Sequence, residues 1–340
     1  MKTKIISLTI IALCVISIIV GILNTSFGTS KNGKSPEQQA SALIKSFSTL
    51  EDKIALINIQ GPISSDSSGG FIGDIDSAES ALKALEKAAE DSSVKGVLLR
   101  INSPGGTVAM SQEIYSMLLN VRSKKPVIVS MGDVAASGGY YIACAADRIY
   151  ADPGTLTGSI GVIMGTLNVQ ELMTNKLGVR SVIIKSGKFK DTGSMYREMT
   201  DEERTLLQNL INNAYNQFLD SINTGRIKRK DSYKTGKTAL TMELLKEYAD
   251  GRILTGQQAK DLGFVDKLGG LYEAKQDIRK MAKEKFPSVS DKIPVVIYNK
   301  PTGFSELFMG SVDSLLPNKK LESYMPLSIS HSRQPLYMWE

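Results

Sequence analysis

The chain has 340 residues, with 41 Lys and Arg against 35 Asp and Glu and 42% hydrophobic residues. These are ordinary globular values, and they exclude wholesale disorder and fibrous repeats. One histidine (His331) and two cysteines (Cys14 and Cys144) exclude a disulfide scaffold and argue against a His/Cys metal centre.

In chain order, Ile5–Leu23 comes first, an uncharged and mostly aliphatic run of 19 residues behind Lys2 and Lys4. As a helix it would be about 28 Å long, close to the roughly 30 Å core of a bilayer. It reads as an anchor, with the long C-terminal body translocated. Ser26, Gly28 and Ser30 leave a weaker option of leader cleavage. Cys14 falls in this run and Cys144 in the body, so the two cannot pair. Gly28–Pro36 is a Gly/Ser/Lys linker. The expected organisation is an anchor over 1–27, a linker over 28–50, a body over 51–299 and a tail over 300–340.

Within the body, Lys53–Gln60 is β-rich, and Gly61–Gly73 is a Gly/Ser-rich, mobile loop. Asp76 opens an amphipathic helix to Glu90, with Glu79 placed as in a capping box. A buried strand over Val94–Ile101 leads into the turn Asn102–Thr107. Val108–Lys124 is a helix, Val127–Met131 a strand, and Gly132–Gly139 a small-residue loop before a second, short helix. Val179–Ile184 is again a strand. Thr200 and Glu203 form a capping box at the head of a long helix to about Asn223, and Thr255 with Gln258 caps a short one. The basic run Arg226–Lys230 reads as a solvated helix end, with no nucleic-acid motif around it. This β-α alternation predicts a mostly parallel α/β core.

With only His331 to draw on, a hydrolase here needs a base other than histidine. Gly132–Tyr141 (GDVAASGGYY) places one serine, Ser137, where a strand ends and a helix begins. Small neighbours there admit a substrate backbone, and the following N–H, at Gly138, is a natural oxyanion donor. Ser137 could equally be a simple helix N-cap. Asn102–Gly106 (NSPGG) follows another strand in the same way, and its glycine pair bares backbone N–H groups. Ser103 is a weaker rival nucleophile, because it precedes proline rather than opening a helix.

SPGG in one β-α turn and AASGGYY in the next resemble the signal peptide peptidase A family of membrane-bound serine proteases. Leu156–Val162 (LTGSIGV), Ile184–Asp191 (IKSGKFKD) and Asp250–Ala259 (DGRILTGQQA) agree with it. The resemblance covers roughly Lys53–Tyr298. It implies a ClpP/crotonase-like repeated β-β-α spiral preceded by one transmembrane helix, and a Ser/Lys dyad with Ser137 as nucleophile and Lys190 as base. It further implies Ser159 as the residue orienting the lysine, and the N–H groups of Gly106 and Gly138 as the oxyanion hole. Thr107 departs from the family, where many relatives carry a third glycine. Lys185 and Lys188 stand close by, and only the resemblance selects Lys190. A lysine base must be neutral, whereas free lysine keeps its proton to about pH 10.4, so the site should be buried.

The implied activity is degradation of remnant signal peptides and other membrane-released or unfolded peptides. The enzyme would be single-pass in the cell membrane through residues 5–23, with an extracytoplasmic catalytic domain, a homo-oligomer, no cofactor, no metal and no nucleic acid. The alternatives are a regulatory scaffold of the same fold or a crotonase-type acyl-CoA enzyme. Finally, Gln334–Glu340 (QPLYMWE) ends the chain with its only tryptophan and three other large apolar residues. Leaving them in water costs roughly 25 cal/mol per Å². The tail is expected to dock without a regular element of its own, either in the substrate groove or on another surface patch.

Overall fold

The computed structural model describes residues 51–65, 76–228, 240–299 and the backbone of 336–338. Ile5–Leu23, Cys14 and His331 lie outside the described residues. Among those described, no helix is long and apolar enough to cross a membrane. The chain divides into two units, Met1–Glu51 and Asp52–Glu340, and the second holds every strand and helix among the described residues.

Three long strands form its centre: β1 (Lys53–Gln60), β2 (Val94–Ser103) and β4 (Val127–Ala136), paired in parallel as β1–β2–β4. Each reads as a nearly continuous apolar run because both faces are covered. Ala55, Ile57, Ile59, Val97, Leu99, Ile101, Val129 and Met131 face one core. Helices α1 (Ala78–Glu90), α2 (Val108–Lys124) and α3 (Gly138–Ala143) pack on that side. Ile54, Leu56, Leu98 and Ile128 face a second core under helix α7 (Leu271–Lys285). The sheet is extended by β9 (Val295–Ile297) beside β1.

β4 splits its partners along its length. Its first half pairs with β5 (Arg148–Ala151), which carries β8 (Lys267–Leu268) on its far edge. Its last three residues pair with β6 (Leu156–Gly158), which runs antiparallel to β7 (Ile253–Thr255). The cleft between the diverging halves lies at the carboxyl end of the sheet, where open α/β sheets bind ligands.

Several local expectations change. The cap of α1 is Ser77, whose hydroxyl accepts the Ser80 N–H at 3.2 Å, not Asp76. Gly132–Ala136 continues β4 rather than forming a loop. Within Asn102–Thr107, β2 runs on to Ser103 and Gly105–Thr107 is a short strand, β3. Arg226 is not solvated: it grips Asp266 at 2.7 and 2.9 Å with a side chain only 7% exposed. It belongs to a π-helical turn that follows the long helix α4 (Asp201–Ile222). The capping boxes of α4 at Thr200 and of α6 (Gly256–Asp261) at Thr255 are both formed.

The tail also departs from expectation. Leu336–Met338 is a strand, β10, paired antiparallel with β3. Lack of periodicity in so short a segment is no obstacle, because an edge strand needs only free backbone groups beside it.

Candidate active site

Ser137 follows β4 directly and precedes α3. Its backbone stands at φ 53°, ψ −114°, and its side chain makes no capping bond. The simple N-cap reading therefore fails. The residue is buried, and its Oγ has no hydrogen-bond partner. A non-glycine residue at positive φ costs about 1–3 kcal/mol and persists only where its surroundings hold it. Among the described residues just two non-glycines do this, Ser137 and Ser159.

The two serines are neighbours by register. Ala136 of β4 pairs with Gly158 of β6, and each serine is the next residue along. The Ser137 N–H donates to the Gly158 carbonyl at 2.8 Å, and the Ser159 N–H to the Arg252 carbonyl at 2.8 Å. Ser159 is buried as well. Strain in a strand-to-helix turn that presents a serine is the arrangement of a nucleophile elbow.

β3 forms the opposite wall. Pro104 and Gly105 (φ 111°) turn the chain after β2, and the buried Ser103 hydroxyl accepts the Gly105 N–H at 3.1 Å. Ser103 is thus spent on its own turn. Asn102 ties this wall to the other, since its carboxamide oxygen accepts the Val134 N–H at 3.1 Å and packs where a Cβ on Gly132 would stand, 2.9 Å away. Nothing in the sequence singles out Ile63, an apolar residue in an otherwise Gly/Ser-rich run. It is fully buried, donates its N–H to the Gly105 carbonyl at 2.8 Å, and accepts the Thr107 N–H at 2.7 Å. Alternation along a strand then turns the N–H and C=O of Gly106 to the opposite edge.

Lys190 lies elsewhere. It is exposed, on an arm over residues 162–199. Because the Ser137 Oγ has no partner, the single chain does not bring the lysine amine to it, and the burial expected around Lys190 is not supplied. The reason lies in the arm. Its β-branched run 179–184 pairs with no strand among the described residues, so the predicted strand is absent, and Val182 and Ile184 are 86% and 97% exposed. Lys185 is committed to Asp191 at 2.5 Å, and Lys188 to Glu202.

The base of the arm is fixed by Arg197. Its guanidinium reaches Asp191 at 2.8 and 2.9 Å and both carboxylate oxygens of Glu203. Hydrogen bonds from Arg197, then from the Thr200 N–H, lower the Glu203 carboxyl to about 2. A carboxylate depressed on folding contributes stability that is complete above its unfolded value and lost as pH falls through its folded value. Amides over 185–203 should therefore lose hydrogen-exchange protection between about pH 4.5 and 2. Unchanged protection across that range would contradict the role of this cluster.

A strained serine at the head of a helix, flanked by a glycine strand with outward N–H groups, defines an α/β serine hydrolase. Comparison with known proteins narrows the class. The model of peptidase family S49 matches residues 120–285, and that of Clp protease matches residues 69–153. A Synechocystis relative bearing a protease name is 38% identical over 292 residues, covering 84% of this chain and 96% of its own. One from Enterococcus faecium, named as a signal peptide peptidase SppA, is 33% identical over 266 residues, covering 76% and 72%. Protease 4 of Salmonella typhi is 38% identical over 202 residues, 59% of this chain and 30% of that one. The chain belongs to peptidase family S49, the signal peptide peptidase A family, and is a serine protease with a Clp-protease-like α/β domain.

Proposed function

We propose that this protein is a membrane-anchored serine endopeptidase that degrades remnant signal peptides and other unfolded, membrane-released segments. The observation that carries the chemistry is Ser137, strained, buried and unpartnered at the strand-to-helix junction beside Ser159. Ser137 Oγ attacks the scissile carbonyl, and Lys190 takes its proton and returns it to the leaving amine. Ser159 orients the lysine, while the Gly106 and Gly138 N–H groups hold the developing oxyanion. No step requires a cofactor.

Lys190 reaches the serine of another copy. The exposed apolar residues of the arm, Leu167, Leu172, Val182, Ile184 and Phe189 among them, support this homo-oligomeric arrangement, because covering them would also desolvate the lysine. Residues 5–23 anchor the chain with the catalytic body on the extracytoplasmic side. Tethering raises the local concentration of peptides released into the bilayer.

The test is a mass-spectrometric digest of a synthetic signal peptide by the full-length protein. Wild type should cut it internally, and Ser137→Ala should not. Cleavage at the wild-type rate by purified Ser137→Ala protein would overturn the assignment. A wild-type protein that leaves signal peptides intact but cuts other unfolded chains would overturn the substrate class.

A further inference from the structure

Strand β10 lies where a substrate should. Leu336, Tyr337 and Met338 stand opposite Thr107, Gly106 and Gly105 of β3. The other edge of β3 is taken by Ile63, so the only backbone groups that β3 can offer to β10 are those of Gly106. In an antiparallel pair, a residue whose N–H and C=O face the partner strand exchanges both bonds with the residue directly opposite. That residue is Tyr337. Its carbonyl is the one presented to the Gly106 N–H, while those of Leu336 and Met338 point away from β3. Helix α3, whose first residue follows Ser137, packs against both β3 and β10.

We propose that the Tyr337–Met338 peptide bond is a self-cleavage site, held by strand addition in the position of a scissile bond. This rests on the proposed function, in which the Gly106 N–H is an oxyanion donor. The Ser137 Oγ adds to the Tyr337 carbonyl carbon, and its proton passes to the lysine amine. The bond to the Met338 nitrogen then breaks, and that nitrogen takes the proton as it leaves with Met338–Trp339–Glu340. Water hydrolyses the resulting Tyr337 ester, leaving a chain that ends in a Tyr337 carboxylate and restoring the serine. Before this happens the tail is a competitive ligand of the groove. Main-chain pairing of this kind sets which residue is cut by register, and side-chain pockets add selectivity to it.

The register makes the test sharp. Full-length protein is purified and followed by intact mass, alongside Ser137→Ala and Met338→Pro, and each is assayed on a synthetic signal peptide. The expected result is conversion of wild type to the chain ending at Tyr337, with Ser137→Ala remaining intact. Met338→Pro should also stay intact, because the bond becomes a crowded tertiary amide, yet it should still cut the peptide. Trimming at another bond in the tail would overturn the register, and trimming in Ser137→Ala would overturn self-cleavage. A wild-type protein that cuts the peptide but keeps Met338–Glu340 indefinitely would refute this inference and leave the proposed function standing. Loss of both activities in the folded wild type would refute both.

Discussion

Lys190→Ala should lower kcat/KM on a peptide substrate by about 10²–10⁴-fold, the range supplied by a positioned general base. Mixing that variant with Ser137→Ala, inactive by itself, should restore part of the activity. Geometry and electrostatics both require this. In one chain the Ser137 Oγ is buried without a partner, and Lys190 stands in water on the arm. A solvated lysine remains protonated near neutrality and accepts nothing. Burial against a second copy removes water from the amine and brings it to the serine in one step. A mixture contains junctions in which an intact Ser137 meets an intact Lys190, so activity returns without any new covalent change. The check is the rate after subunit exchange, confirmed by native mass spectrometry of tagged copies. Exchange without recovery would place both groups of the dyad in one chain. Activity of the wild type should rise with pH as the lysine loses its proton, and His331→Ala should leave it unaltered.

Much of the fold was legible in the residues themselves, for reasons that can be named. β1, β2 and β4 are buried on both faces, so their sequences are unbroken apolar runs bounded by polar turns, which is the easiest strand signal to read. The boxes at Thr200 and Thr255 are local hydrogen-bond units, complete within four residues, and they formed as the spacing predicted. What failed depended on distant partners. The run 179–184 has the β-branched composition of a strand, but composition supplies no neighbour to pair with. Gly132–Ala136 looked like a loop because of its small residues, yet β2 and β6 flank it and hold it extended. Arg226 reads as one charge in a basic run until Asp266, 40 residues later, comes to meet it. In the site, Ser137 stood out through its setting of alanines and glycines, whereas the lysine was selected by family resemblance alone. Ile63 was invisible because its contribution is made by backbone atoms, which every residue has.

The same backbone atoms of Ile63 underlie the other large expected effect. Gly106→Ala should reduce kcat by at least about 10²–10³-fold, the cost of losing one oxyanion donor. Gly106 carries no positive φ, so its need for glycine is one of space: a Cβ there would collide with the carbonyl oxygen, carbon and nitrogen of Ile63. Those are main-chain atoms, fixed by the 2.7 and 2.8 Å bonds that bracket Gly106, and they cannot turn aside as a flexible side chain would. β3 must shift instead, carrying the Gly106 N–H away from the carbonyl it is meant to polarise. Overpacking of this kind costs about 1–3 kcal/mol of stability, which a domain of this size survives, so the protein should still fold. The control is Gly154→Ala, where a Cβ would meet nothing within 4 Å. Activity of Gly154→Ala should match wild type, with Gly106→Ala folded by circular dichroism but unable to cut the signal peptide or trim its own tail. A Gly106→Ala enzyme with the wild-type kcat would show that the strand yields without consequence, and would remove Gly106 from the catalytic machinery.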